Sequence, residues 1–322
     1  KRAFFYFIVP FTLSTTIWYF SPRQMADITI DYDNIWIDDD IDAYLNQAER
    51  PFGDIIEGAE KRVVWFNKSG QKTPTSIVYL HGFTASSKEI SPVTEKVAKS
   101  LGANLYFTRL FGHGRPAENM AEASIERWMF DVGEAVKIGS LIGEKVIIIA
   151  TSTGGTLAAA AAVDKVMMKH VFGIIFISPN FGINRTTADL LTWPLAKYWV
   201  PLIVGKWQHS EPRNDLHARY WTTSYPTVAL MPMAALVNTV NNLDFSQVDI
   251  PALFYFSLND QVVVPEKTIS FSEGWGGQSN IIEVDLLPTD DTFSHLITGD
   301  IVSPSQTEKT VEDVLLWIND LD

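Results

Sequence analysis

Lys145-Val146-Ile147-Ile148-Ile149 is a β-branched run that stops at Ala150-Thr151-Ser152-Thr153-Gly154-Gly155 and passes straight into small residues, Thr156 to Val163. Few architectures accommodate that order. The run is apolar, so it reads as a strand buried on both faces, as in a parallel sheet with helices on either side. The small residues behind it let a helix lie close on that sheet. The join between them is then a sharp strand-to-helix corner that pushes the Ser152 hydroxyl out at the C-terminal edge of the sheet, where a serine nucleophile belongs. Gly154, two residues after the serine, gives such a corner its room, while Ala150 stands where a first glycine is usual and adds one methyl group. A Ser between two Thr and two Gly is by itself more often a loop or a cap, so the reading depends on partners elsewhere.

Those partners follow in the chain. Pro251 to Leu258 is an apolar strand pattern that ends in Asn259-Asp260-Gln261, which sets Asp260 just past the strand's C-terminal end. Ile281 to Leu287 reads as the next strand, and the polar loop after it carries Phe293-Ser294-His295-Leu296. A serine is a poor nucleophile until a neutral imidazole takes its proton, and histidine titrates close enough to neutrality to take it and return it to the leaving group. His295 is the base in this reading, and Asp260 orients its ring and stabilises its cation. In isolation Asp260 is a turn acid and His295 a solvated loop histidine; their joint placement favours the catalytic roles. His170 precedes the strand pattern Val171 to Ile177 and so lies at the wrong end of the sheet, while His209 and His217 fall in a polar connection.

Ser76 to Leu80 is a further strand pattern, ending in His81-Gly82-Phe83-Thr84. Gly82 lets the backbone turn so that the Phe83 amide can point at a developing oxyanion, with the Thr153 amide as second donor. His81 is expected to brace this loop rather than to move protons. Arg109 to Arg115, with Gly112-His113-Gly114 at its centre, follows a strand pattern over Ala103 to Thr108 and reads as a Gly-rich turn at the same sheet edge.

Together, His81-Gly82-Phe83-Thr84, Gly112-His113-Gly114, the Ser152 corner, Asp260 followed by Val262 and Pro265, and His295 resemble the bacterial carboxylesterase and monoacylglycerol lipase group of α/β-hydrolases. The order Ser, Asp, His is the one that fold uses. The resemblance spans about residues 62 to 321. It implies a mostly parallel central sheet flanked by helices, no cofactor, and hydrolysis of carboxylic esters through an acyl-enzyme. It also implies a small helical cap over the site at about 183–224, inserted between the strand ending at Ser178 and a helix beginning near Tyr225. Trp193, Tyr198, Trp199, Trp207, Tyr220 and Trp221, with Met231 and Met233 beyond, give that region an apolar surface able to line an acyl pocket or simply to hold a small lid together.

Composition is consistent with this. A chain of 322 residues with 46% hydrophobic content can bury a large core, and alternating patterns from residue 60 onward suit one α/β domain over 59–322. The net charge of −13 repels phosphate backbones, so nucleic acid is not an expected partner. The absence of cysteine excludes disulfides, thiolate metal sites and a cysteine nucleophile, and no paired-His metal spacing is present. Asp38-Asp39-Asp40 with Asp42 reads as the start of a helix over Ile41 to Glu49, because carboxylates favour helix N-termini.

Residues 1–22 form a separate expectation, joined to the domain by an extension over 23–58. Lys1-Arg2 precedes eighteen uncharged, mostly apolar residues, Ala3 to Phe20, enough for a helix of about 27 Å that just crosses a hydrocarbon core. The cations on the near side place the catalytic domain on the non-cytoplasmic face of a membrane. Pro10, Thr12, Ser14, Thr15 and Thr16 count against a span, and the alternative to this anchor is an arm packed on the domain of a cytoplasmic protein or on a partner subunit. The leading function is a serine carboxylesterase or lipase on small or medium acyl esters. The alternatives are the same machinery on thioesters, amides or C–C bonds, and a silent membrane-tethered binding protein on the same fold.

Overall fold

The computed structural model describes residues 26–321. Helix α1 (Ile41–Glu49) precedes strand β1 (Arg62–Val64), and the long strand β2 (Thr73–Leu80) follows. Then come α2 (Val93–Leu101), β3 (Asn104–Phe107), α3 (Ile125–Ile142), β4 (Gly143–Thr151), α4 (Thr153–Ala162) and β5 (Val171–Ile177). Beyond β5 the chain makes α5 (Ala196–Val204), β6 (Trp207–His209), α6 (Asp215–Tyr220) and β7 (Ser224–Pro226), with β6 and β7 paired as an antiparallel ribbon. It closes with α7 (Leu230–Val240), β8 (Ala252–Phe256), α8 (Pro265–Gly274), β9 (Ser279–Glu283) and α9 (Thr307–Asn319).

The central sheet has the order β1-β3-β2-β4-β5-β8-β9, and every pair in it is parallel except β1 with β3. Side chains alternate between its two faces. Val78, Leu80, Val146, Ile148, Ala150, Ile174 and Phe176 enter the core under α3, α4 and α7, while Ile77, Tyr79, Ile147, Ile149, Ile175 and Ile177 enter the one under α2 and α9. The unbroken apolar runs of β4 and β5 therefore follow from burial on both faces. This is an α/β-hydrolase fold, as expected. From β2 the chain goes to β3 on one side and to β4 on the other, so the C-terminal ends of β2 and β4 border a crevice, the usual place for a ligand in an open α/β sheet.

The expected helix over Ile41–Glu49 is present as α1, and the Asp40 carboxylate accepts from the Ala43 amide at 2.9 Å as its N-cap. Two boundaries differ from expectation. The strand expected over Ile281–Leu287 is β9, Ser279–Glu283: the Val284 amide still donates to Phe256, after which Val284 and Leu286 pack on the α2/α9 side without sheet pairing. The helix expected from near Tyr225 starts at Leu230, because Tyr225 and Pro226 pair with β6 and the single turn Thr227–Ala229 intervenes. The expected spanning segment, residues 3–20, lies outside the described residues. Among the described residues no helix is long and apolar enough to cross a membrane.

Candidate active site

The corner after β4 has the strain its sequence implies. Ser152 has φ 50° and ψ −117°, a conformation that costs a non-glycine residue about 1–3 kcal/mol. Its surroundings over-determine it. The Ser152 amide donates to Ile177, and its carbonyl accepts from the Asn180 and Thr156 amides, at 3.0 to 3.2 Å. Gly154 is required by close approach, since a Cβ there stands 2.2 Å from the Leu80 carbonyl oxygen. The alanines of α4 keep the same helix close to the sheet along its length. Ala150 is fully buried between Leu80 and Phe176, so its methyl group fills core space and leaves the corner intact.

His295 Nε2 lies 3.0 Å from Ser152 Oγ, and His295 Nδ1 lies 2.7 Å from Asp260 Oδ2. The other carboxylate oxygen of Asp260 accepts from the Val262 and Val263 amides at 2.7 and 2.9 Å, which fixes the carboxylate in place. Burial pulls the His295 imidazole down, but the charge and hydrogen bond of Asp260, with the charges of Glu89 and Asp291, outweigh it and hold the ring above its ordinary 6.5. Ser152 and His295 are 7% and 8% exposed, so the opening to solvent is small. The structure thus brings together the three side chains that the sequence singles out.

The loop after β2 lies against this group. The backbone turns at Thr84, φ 67°, and the Thr84 carbonyl accepts from Thr222 at 2.8 Å. A Cβ on Gly82 stands 3.1 Å from Ser152 Cβ, which brings the His81–Phe83 loop to the edge of the serine. The Phe83 and Thr153 amides donate to no group among the described residues, leaving both available to a ligand. His81 joins two loops: the Leu110 amide donates to its Nε2 at 3.1 Å, so Nδ1 carries the proton and donates to the Gly82 carbonyl at 2.9 Å. Burial, reinforced by Arg109, pushes His81 down to about 4, so it stays neutral. His113 sits between two turning glycines, Gly112 at φ 86° and Gly114 at φ 65°. Its ring packs on His81, Phe83 and Trp128 and is buried, where the sequence reading saw only a turn.

Three polar residues of the site carry no sequence signal. Glu89 accepts from the Gly82 amide at 2.7 Å and from the Tyr79 hydroxyl at 2.9 Å. Asp291 accepts from the His295 and Leu296 amides, both at 3.0 Å, and pairs with Arg213 at 3.2 Å. Arg213 comes from the stretch between β6 and α6, far from Asp291 in sequence. The aromatic residues between β5 and α7 divide. Trp221 is buried with Ala85 and Leu296, while Trp193, Tyr198 and Trp207 are exposed. Tyr225, in β7, meets Phe83 edge-on at 5.4 Å between ring centres.

A cavity of about 430 Å³ opens at the N-terminal ends of β5 and β8, the opposite edge of the sheet, and no serine or histidine lines it. Among the described residues no group of three or more His, Cys, Asp or Glu is placed to hold a metal ion.

The sheet order and the serine corner define a serine hydrolase of the α/β-hydrolase fold. The chain belongs to the family described as serine aminopeptidase, S33, whose model matches residues 71–286. It is 23% identical over 259 residues to the thermostable monoacylglycerol lipase of Bacillus sp. (strain H-257), a match covering 80% of this chain and 95% of that one. Its fold is similar to that of a structure from the metagenome-derived lipolytic enzymes LipS and LipT, with a TM-score of 0.65 and 19% identity over 83% of this chain and 99% of that one. The monoacylglycerol lipase of Paleococcus ferrophilus is similar at a TM-score of 0.58 and 16% identity, covering 81% of this chain and 98% of the other.

Proposed function

We propose that this enzyme hydrolyses carboxylic esters of small or medium acyl groups, with Ser152, His295 and Asp260 as its catalytic triad. The observation that carries the reading is the His295 ring, within hydrogen-bond reach of Asp260 on one side and of a strained Ser152 on the other. The lipase relatives support the oxygen ester as substrate, while the family's description keeps the amide as the reading to test against.

The steps follow from the geometry. Ser152 Oγ attacks the acyl carbon while its proton passes to His295 Nε2, and the Nδ1 proton stays hydrogen-bonded to Asp260. The oxyanion that forms accepts from the Phe83 and Thr153 amides, each such donor being worth about 10²–10³ in turnover. His295 then protonates the leaving alcohol, leaving an acyl group on Ser152. A water, deprotonated by the same ring, adds to that acyl carbon; the bond to Ser152 Oγ then breaks, the ring returns its proton to Oγ, and the acid leaves. His81, Gly82 and Gly154 shape the two loops that aim these amides. Residues 183–224 act as a cap, and Tyr225 beside Phe83 bounds the opening on that side. Residues 3–20 attach the protein to a membrane in this reading.

A fluorophosphonate probe tests the assignment: it labels the wild-type protein at Ser152 and leaves Ser152→Ala unlabelled. Turnover of matched oxygen ester, thioester and amide substrates then sets the bond. Wild-type-like ester turnover by Ser152→Ala overturns the reading, and faster amide than ester cleavage moves it to a peptidase.

A further inference from the structure

Glu89 is only 2% exposed, yet no Lys or Arg among the described residues pairs with it. A carboxylate in that position is costly to bury unless polar groups hold it, and here the Gly82 amide and Tyr79 hydroxyl do so. Tyr79 in turn bonds Thr151, the residue before the serine, at 3.1 Å. Glu89 Oε1 and Ser152 Cβ stand 2.6 and 3.1 Å from one point, the place where a side chain on Gly82 begins. The carboxyl group therefore sits directly behind the loop that carries the Phe83 amide.

We propose that Glu89 is a positioning residue, which anchors this loop from behind and sets a second negative charge beside the imidazolium that His295 becomes during attack. This rests on the triad reading above. Asp260 already holds His295 Nδ1, and the Glu89 carboxyl, which shares the Gly82 point with Ser152 Cβ, adds its charge to that of Asp260. The groups facing Glu89 are Tyr79 from β2, the Gly82 amide and His295; Glu95, on α2, acts on Tyr79. Burial pushes Glu89 up to about 7, against the pull of the Gly82 and Tyr79 hydrogen bonds and the His295 charge. The charges of Glu89 and His295 act on each other, so the titration of one depends on the state of the other.

The test is the pH dependence of Glu89→Gln, which keeps the shape and an acceptor for Gly82 but removes the charge. The acid limb of kcat/KM on a short-chain ester, followed by acid release, moves to lower pH by about half a unit or more, since His295 loses a neighbouring anion. At pH 8 kcat falls about tenfold, as the transition-state cation loses the same support. A merely structural role lowers activity without moving the limb. Tyr79→Phe removes a donor to the carboxylate, favours its neutral form and moves the limb the same way by a smaller step, which keeps the idea testable if Glu89→Gln does not fold. An unmoved limb in a folded Glu89→Gln, or in Tyr79→Phe when that is the only folded variant, overturns the proposal. Fluorophosphonate labelling of wild-type Ser152 separates the two readings: an unlabelled Ser152 counts against the triad, a labelled one with an unmoved limb against Glu89 alone.

Discussion

Asp260→Asn isolates the orienting function of the carboxylate, because the structure dictates how an asparagine must sit. The carboxylate oxygen that accepts from Val262 and Val263 must remain an acceptor, or two backbone donors lose their partner at about 1–3 kcal/mol each. The asparagine oxygen therefore takes that place, and its NH₂ faces His295 Nδ1, which lies 2.7 Å from the carboxylate in the native site. A donor there forces the ring to accept at Nδ1 and carry its proton on Nε2, the atom 3.0 Å from Ser152 Oγ. In that tautomer it cannot take the serine proton. Loss of the correct tautomer costs about 10⁴ in kcat, or about 5.5 kcal/mol of barrier. The fold is retained, since both backbone bonds survive. Burst and steady-state kinetics on a short-chain ester, with a thermal melt as control, measure both effects. The native ring, held above 6.5, must be neutral to act, so wild-type kcat/KM falls as pH drops through a midpoint above that value. Asp260→Asn moves the remaining midpoint down. A variant within tenfold of wild type, with its acid limb unmoved, refutes the role of Asp260.

Gly154→Ala forces a Cβ to 2.2 Å from the Leu80 carbonyl; it is expected to lose about 3 kcal/mol or more of stability and to abolish labelling of Ser152, whereas Ala150→Gly costs about 1 kcal/mol and stays active. Melts and probe labelling of the pair check this, and a labelled, stable Gly154→Ala counts against the close approach of α4. His81 is held near 4 in the fold and titrates near 6.5 when unfolded, so it stabilises the fold above pH 6.5 and that stability is lost as pH falls toward 4, on the order of 3 kcal/mol. The slope of Tm against pH in that window is expected to be shallower in His81→Asn than in wild type, and equal slopes contradict it. Deletion of residues 1–22 leaves an active, folded domain, because Ala26, Ile28 and Ile30 still pack on the core, while the full chain partitions with membranes and resists salt extraction. An unfolded truncation beside a full-length chain that needs no detergent makes residues 3–20 a packing arm instead.

Where a property depends on neighbours in sequence, the chain could be read directly. The double-sided burial of β4 and β5, the sharp corner at Ser152 and the capped start of α1 each follow from runs of adjacent residues. Asp260 and His295 were legible because each follows an apolar run at the sheet's C-terminal edge. Glu89 and Asp291 were not, because each holds nearby loop amides, a use any loop carboxylate can have, and Arg213 was not, because it acts through a single ion pair far along the chain; neither leaves a pattern. The end of β9 was hidden for a different reason: Val284 and Leu286 are apolar like strand residues but pack on a helical face, so hydropathy alone extended the strand.

The Arg213–Asp291 pair has a consequence for modular exchange. Asp291 grips the backbone on which His295 is mounted, and the arginine that pairs with it, stacked at 4.5 Å over the Phe293 ring, is carried by the chain between β5 and α7. In a chimaera that replaces this stretch with a relative's counterpart, substrate preference and turnover then cease to be separate variables. The transplanted piece must either bring a cation to the same carboxylate or leave the histidine's own mounting looser than before.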